Sequence, residues 1–96
     1  MIRVLVADDS AVARDHLVHL LEGDERLSVA GTAADGEEAV RLAERLRPDV
    51  VLLDIHMPRM DGFDAARLIM ERAPTPIVMA TASSNPSDAR GAFEAL

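Results

Sequence analysis

The chain has 96 residues, enough for one small domain, and 49% of them are hydrophobic, which excludes intrinsic disorder. Its ten basic residues are all arginine, and seventeen acidic residues bring the net charge to −7, which argues against nucleic-acid binding by this domain. Aromatic residues make up 2% and cysteines are absent, so base-stacking platforms, disulfides, cysteine zinc sites and thiol catalysis are excluded.

The first part of the chain alternates short apolar runs with segments of helical spacing. Ile2–Ala7 predicts a buried strand, and Ser10 is expected to cap a helix that ends at Gly23. Leu27–Ala33 predicts a second strand, and Asp35 is expected to cap the helix that follows it. The apolar faces of these two helices are predicted to consist of Ala13, Leu17, Leu20 and Leu21 in the first and Ala39, Val40, Ala43 and Leu46 in the second.

The second part continues the same alternation. Asp49–Leu53 is a continuous apolar run after its first residue and predicts a central strand of a parallel sheet. A loop over 54–61 leads to a predicted helix over 62–72, and Ile77–Ala80 predicts a fourth strand. Pro86 suits the first position of a last helix. The apolar sides of these helices are predicted to consist of Phe63, Ala66 and Met70 in the third and Ala89, Ala92 and Phe93 in the last.

Four strand-then-helix units in a row predict an α/β fold, with a parallel sheet, right-handed crossovers and helices on both faces. Ligands of such sheets bind beyond the carboxyl ends of the strands, where the winding reverses. Asp8 and Asp9 follow the first predicted strand, Asp54 the third and Thr81 the fourth. A single acid at a strand end is commonly a helix cap or a solvated turn residue, but this set from three strands predicts a functional rim.

The predicted rim carries three carboxylates, which repel each other unless a cation neutralises them. An oxygen-only ligand set without a His or Cys cluster suits a hard ion, and Mg²⁺ takes one or two carboxylates together with waters and phosphate oxygens. An Asp beside Mg²⁺ is a known type of nucleophile, which forms an aspartyl phosphate. The rim therefore predicts Mg²⁺-dependent phosphoryl transfer.

A family resemblance is carried by four stretches, Val4–Ser10, Pro48–Asp54, Met57–Gly62 and Pro76–Ala82. Over residues 2–96 the chain resembles the receiver domain of two-component response regulators. Glu71–Met79 is most similar to the receivers of chemotaxis protein-glutamate methylesterases. The resemblance implies a flavodoxin-like, doubly wound parallel sheet with its strands in the order 2-1-3-4.

The resemblance also implies a metal site. Asp9 and Asp54 would ligate Mg²⁺ together with the backbone carbonyl of His56, and Asp8 would act largely through a bound water. In the family the side chain at the position of His56 mainly tunes how water reaches the aspartyl phosphate.

The phosphoryl site is implied in the same way. Asp54 would accept the phosphoryl group from a histidine kinase, and the Thr81 hydroxyl would turn onto that group. The backbone N–H groups of His56 and Ala82 would donate to the phosphate oxygens. Asp61 would cap the third helix, and Gly62 would allow its tight start. The expected output is a downstream effector domain or protein.

One departure from the family concerns the last strand. Receivers have a fifth strand that ends in a lysine, followed by a fifth helix, whereas this sequence contains no lysine. We therefore expect residues 1–96 to form a single receiver domain that is incomplete at its C-terminus. The fourth strand would then be an exposed edge, which favours self-association.

Two other functions fit parts of the sequence. A pseudo-receiver that binds partners without being phosphorylated fits the missing lysine. A haloacid-dehalogenase type of enzyme needs a second Asp two residues after the nucleophile, where this chain has His56. The chain carries no G-x-S-x-G nucleophile elbow, so any methylesterase domain would lie outside it, and we expect no enzyme beyond self-phosphorylation. No long apolar run or leader is present, which predicts a cytoplasmic domain that does not bind membranes.

Overall fold

The computed structural model describes residues 1–80, which form four strands and three helices. In chain order they are β1 (Ile2–Ala7), α1 (Ala11–Glu22), β2 (Leu27–Ala33), α2 (Gly36–Leu46), β3 (Val50–Asp54), α3 (Gly62–Arg72) and β4 (Ile77–Ala80). β3 starts and ends one residue later than predicted, so Asp54 belongs to the strand. The predicted last helix, Thr81 and Ala82 lie outside the described residues. Among residues 1–80, no helix is long and apolar enough to cross a membrane.

The four strands form one parallel sheet in the order β2-β1-β3-β4, which confirms the predicted doubly wound topology. β1 lies at the centre and pairs with β2 on one side and β3 on the other. The register places Ala7 beside Leu53 and Asp54 beside Ala80. Asp8, the residue after Ala7, is therefore level with Asp54 at the same edge of the sheet.

Each of the three helices begins directly after its predicted capping residue. The Ser10 hydroxyl accepts the Ala13 N–H at 3.2 Å at the start of α1. The Asp35 carboxylate accepts the Glu38 N–H at 2.8 Å before α2, and Asp61 does the same before α3. Each cap satisfies a backbone donor that has no partner within its helix, which fixes the residue at which the helix begins.

The main core lies between the sheet and the α2–α3 layer. Every second residue of each strand points to this side, because successive side chains alternate between the two faces of the sheet. α2 fits the predicted face, since Ala39, Val40 and Ala43 are buried. The strand and helix residues that form the centre of this core are Leu5, Ala7, Val51, Leu53, Ala39, Val40, Ala43, Ala65 and Ile69.

The predicted apolar face of α1 is partly wrong. Leu20 is 58% exposed, and the half-buried side of the helix runs through Leu17 and Leu21 toward Arg14 and Val18. The difference between the predicted and the observed face of α1 has a local cause. The Arg14 guanidinium donates to the Asp8 carbonyl, which holds the Arg14 side of α1 toward the sheet.

The predicted apolar face of α3 is also wrong at two positions. Phe63 and Met70 are 62% and 52% exposed, whereas Ala65 and Ile69 are fully buried. Gly62 determines which face of α3 turns toward the core, since a Cβ there would overlap the Asp54 carbonyl oxygen. The first turn of α3 is thus held against the end of β3, and the residues three and seven positions later face the core.

Candidate metal centre

The candidate site lies at the point where the winding of the sheet reverses. From β1 the chain passes to β2 on one side, and β3 lies on the other side. The carboxyl ends of β1 and β3 are therefore adjacent, with a crevice between their outgoing connections. Asp8 follows β1 directly, and Asp54 is the last residue of β3. The fold thus brings acids 46 positions apart in sequence to one place.

Three carboxylates converge there. One oxygen from each of Asp8, Asp9 and Asp54 lies within 4.8 Å of the other two. Their exposure differs, because Asp54 is 2% and Asp8 7% exposed, whereas Asp9 faces solvent. The cluster has a buried end at Asp54 and an open end at Asp9, so a cation or phosphate can enter from the Asp9 side.

The hydrogen bonds of the cluster leave one buried oxygen without a partner among residues 1–80. The Ser10 N–H donates to Asp8 Oδ1 at 2.9 Å, and the His56 N–H donates to Asp54 Oδ1 at 3.3 Å. No donor among residues 1–80 reaches the buried Asp54 Oδ2. A buried carboxylate oxygen without a partner is costly, and such atoms in native proteins commonly mark a place for an ion, a water or a reaction.

The environment of Asp54 disfavours its charged form. Burial is the largest cause that raises the pKa of this carboxyl above its ordinary value, and the neighbouring Asp8 charge adds to it, with a smaller part from Asp9. The His56 backbone N–H and the imidazole charge act in the opposite direction. A cavity of about 140 Å³ beside the carboxyl is lined largely by apolar side chains, among them Leu17, Leu52 and Val78, which explains the weak solvation.

Arg14 is a site residue that the sequence analysis missed. Its guanidinium donates to the Asp8 carbonyl at 2.7 Å and ties α1 to the turn that carries Asp8 and Asp9. The available signal was its position one turn after Ser10, from which a long side chain can reach back to the end of β1. The structure thus places the positively charged guanidinium of Arg14 beside the turn that carries Asp8 and Asp9.

The other predicted site residues are placed only in part. The side chain of His56 is exposed, and its backbone N–H points to Asp54. Thr81 and Ala82 lie outside the described residues. Their predicted contacts with a phosphoryl group remain predictions.

The residues present fit a hard divalent cation. The donor set is three carboxylates without a thiolate, which matches the oxygen ligands that Mg²⁺ prefers. Asp54 Oδ2 is buried without a donor among residues 1–80, and the pKa of the same carboxyl is raised, so the negative charge of the cluster is not fully balanced by the described residues. A bound divalent ion would relieve both conditions.

The fold and the acid cluster define a class of signalling domain. The response regulator receiver domain family matches residues 4–95, and the chain belongs to that family. Within the family, the chain is 57% identical over 93 residues to protein-glutamate methylesterase/protein-glutamine glutaminase 6 of Anaeromyxobacter dehalogenans. That match covers 97% of this chain and 27% of the relative, so the chain spans about a quarter of the relative's length.

Comparison with solved structures also finds similarity to response regulator domains. The response regulator domain of Thermotoga maritima CheB is 40% identical, with a TM-score of 0.84 over 98% of this chain and 72% of that one. The CheX-CheY-BeF3-Mg+2 complex of Borrelia burgdorferi is 32% identical, with a TM-score of 0.79 over 97% of this chain and 71% of that one. These likenesses confirm the resemblance to response regulator receivers and to the methylesterase branch.

Proposed function

We propose that this receiver domain accepts a phosphoryl group on Asp54 in a reaction that requires Mg²⁺. The observation that carries the proposal is the buried Asp54 Oδ2, which has no donor among residues 1–80 and lies beside two further carboxylates at the switch point of the sheet. A carboxylate in that position is an oxygen nucleophile with a free lone pair. Its raised pKa makes it more basic than an ordinary Asp.

The reaction balances without any further reagent. Asp54 Oδ2 attacks the phosphorus of the donor, a new O–P bond forms, and the P–N bond of a phosphohistidine or the P–O bond of an acyl phosphate breaks. The leaving group keeps the electron pair of the broken bond, and a phosphohistidine's imidazole nitrogen is then protonated from solvent. Phosphoryl transfer depends mainly on positioning and charge neutralisation, so the protein's task is to hold the carboxylate in line.

The acids of the cluster would hold the metal. Asp9 and Asp54 would be direct ligands, the His56 carbonyl a third, and Asp8 would act through water. When bound, Mg²⁺ offsets the negative charge that the carboxylates and the phosphate oxygens concentrate in the site. The receiver complex from Borrelia burgdorferi contains Mg+2 and BeF3, and its likeness to this chain supports the same metal here.

The proposed partners follow from the family. A histidine kinase is the proposed donor, and an effector domain or protein receives the signal. The relative from Anaeromyxobacter dehalogenans is a protein-glutamate methylesterase, which supports chemotaxis and a methylesterase domain as the output. Thr81 and Ala82 are proposed to contact the phosphoryl group, as the family pattern implies.

The test uses acetyl phosphate as a small phosphodonor. With Mg²⁺ in excess, intact-mass measurement should show the addition of one phosphoryl group, and a chelator should prevent it. A chain that stays unmodified at saturating donor and Mg²⁺ would instead support the pseudo-receiver alternative, which binds partners without phosphorylation.

We expect Mg²⁺ binding to depend more on Asp9 than on Asp8. The Asp8 carboxylate already accepts the Ser10 N–H, whereas Asp9 faces solvent at the open end of the cluster. Loss of a direct ligand should exceed the ~10- to 100-fold effect of losing an outer-shell partner, so Asp9→Ala should weaken Mg²⁺ by about 100-fold or more. Asp8→Asn should cost less.

Isothermal titration with Mg²⁺ measures both variants against the parent. An Asp9→Ala protein that binds Mg²⁺ with the parent affinity would place the ion elsewhere. Asp15→Asn, at an exposed position on α1, is the matched control for the loss of one negative charge.

We also propose that the 96-residue chain self-associates through β4. Among residues 1–80, β4 is an edge strand hydrogen-bonded to β3 alone, and edge strands can pair with a second chain. Sedimentation velocity should therefore show association that increases with concentration. A monomer at every concentration would contradict this.

A pair of lysine variants locates the contact. Ala80→Lys puts a charge on β4, and Thr32→Lys puts one on β2, the opposite edge, at an exposed position. Both reduce the net negative charge equally, and they place the lysine on opposite edges of the sheet. Association should fall in Ala80→Lys and stay unchanged in Thr32→Lys.

A further inference from the structure

The segment from Ile55 to Asp61, which we call the β3–α3 loop, carries a backbone N–H that donates to the proposed phosphoacceptor. The His56 N–H in this loop donates to Asp54 Oδ1 at 3.3 Å. A backbone donor keeps this position only if the whole loop is held in place, because loops otherwise tend to move more than the elements that they connect. The structure shows contacts on two sides of the loop.

The first side is the end of β3. The Gly62 N–H donates to the Ile55 carbonyl at 2.8 Å and closes the loop at its base. A Cβ on Gly62 would overlap the Asp54 carbonyl oxygen, so only glycine allows this close approach. Both ends of the loop are thereby fixed to the strand.

The second side is the start of α2, where Arg59 makes the contact. Its guanidinium lies 3.0 Å from Asp35 Oδ2, while Asp35 Oδ1 accepts the Glu38 N–H at 2.8 Å. Asp35 thus serves as helix cap and ion-pair partner at once. A Cβ on Gly36 would overlap the Met60 carbonyl oxygen, so the loop touches the helix start directly.

The backbone of Arg59 has a conformation that is unusual for a residue with a side chain. Arg59 has a φ of 66°, in the left-handed region that favours glycine. A residue with a side chain stays in that region only where its surroundings impose it. The arginine side chain, which glycine lacks, is the part that reaches Asp35.

Two features distinguish this ion pair from an ordinary surface pair. The Asp35 side chain is only 13% exposed, although that of Arg59 is 64% exposed. Asp35 is already fixed by its bond to α2, so pairing restricts only the arginine. Most exposed pairs contribute little because two long side chains must be ordered in water, and here one partner is ordered beforehand.

We propose that Arg59 is a positioning residue that, through its ion pair with Asp35, holds the β3–α3 loop in the geometry used for Mg²⁺ and phosphoryl binding. The proposal rests on the proposed function of Asp54. The Arg59–Asp35 ion pair would connect the N-cap of α2 to the backbone of His56, although neither Arg59 nor Asp35 touches the metal or the phosphoryl group.

The test compares two arginine-to-glycine variants. Arg59→Gly removes the ion pair, and Arg47→Gly is the matched control. Arg47 is the other non-glycine residue with positive φ among residues 1–80, at 47°, and it lies at the C-cap of α2. Both variants lose one positive charge and give glycine a backbone region that it prefers. Asp35→Asn adds a third variant, which leaves the loop sequence unchanged and keeps an oxygen for the helix cap.

Two readouts are measured on each protein. Amide hydrogen exchange of His56 and Gly62 in the metal-free protein should accelerate about 10-fold in Arg59→Gly and in Asp35→Asn, and not in Arg47→Gly. The Mg²⁺ affinity should fall roughly 10-fold in the same two variants, the lower end of the range for outer-shell partners. Arg59→Lys keeps the cation and should restore most of both.

The outcomes separate the two proposals. Unchanged loop exchange in Arg59→Gly, or equal changes in Arg47→Gly, would overturn the role of the pair. Faster exchange with the parent Mg²⁺ affinity would overturn the positioning role. A parent protein that neither binds Mg²⁺ nor accepts a phosphoryl group would defeat the proposed function, while the exchange data would still decide whether the pair holds the loop.

Discussion

We expect the Asp54→Asn variant to take up no phosphoryl group from acetyl phosphate in the presence of Mg²⁺. The parent should take up one. The effect is complete because a carboxamide is a far weaker nucleophile than a carboxylate and lacks the second oxygen that an acyl phosphate requires. Asp54 is also the most buried acid of the cluster, and its Oδ2 is buried without a donor among residues 1–80, so we expect neither neighbour to replace it.

The control for this variant is Asp15→Asn. It makes the same chemical change at an exposed position on α1 and should leave phosphorylation at the parent level. Circular dichroism should show that both variants remain folded. Phosphorylation of Asp54→Asn to the parent extent would show that another residue is the acceptor.

The same substitution should stabilise the metal-free protein at neutral pH. Asp54 is buried, charged and next to two other carboxylates, so its removal relieves repulsion and a desolvated charge. Relief of one poorly satisfied buried polar group corresponds to a gain in the free energy of unfolding on the order of 1 kcal/mol. Asp15→Asn, which changes the net charge equally, should give a much smaller change.

The pH dependence follows from the raised pKa of Asp54. A carboxyl whose pKa is higher in the folded state binds more protons when folded, so its stabilising contribution is fully present below the ordinary Asp range. That contribution is lost as the pH rises through the folded-state pKa. The difference in stability between Asp54→Asn and the parent should therefore be small in acid and grow toward neutral pH.

Urea unfolding with a chelator, measured at several pH values, tests this expectation. Mg²⁺ should then reverse the order of stability, because an ion at 100 times its dissociation constant stabilises the parent by about 2.7 kcal/mol. A parent that is more stable than Asp54→Asn at neutral pH without metal would contradict the account of the acid cluster.

Much of the fold follows from local sequence signals. The strand runs are short, apolar and bounded by turn residues, and Ser10, Asp35 and Asp61 cap the helices as predicted. The errors concern helix rotation. Phe63 is exposed because Gly62 presses against the end of β3, and this long-range contact is not visible in the spacing of apolar residues along α3.

The candidate site also has a part that could be predicted from local sequence signals and a part that could not. Asp8, Asp9 and Asp54 were predictable because strand ends are local features and a parallel sheet aligns them. The ion pair of Arg59 with Asp35 was not, since 24 residues separate the partners and both lie in loops with ordinary polar composition. Arg14 was missed because its partner is a backbone carbonyl, so only its position one turn after Ser10 points to the contact.

The central claim is that Asp54 is the residue that carries the phosphoryl group, and mapping the modified residue tests it most directly. The chain is treated with acetyl phosphate and Mg²⁺, then with borohydride, which reduces an acyl phosphate to an alcohol and marks the acceptor in a peptide mass map. The account predicts homoserine in place of Asp54 and unmodified Asp8 and Asp9. Homoserine at Asp8 or Asp9, or a stable phosphoester on a serine or threonine, would contradict it.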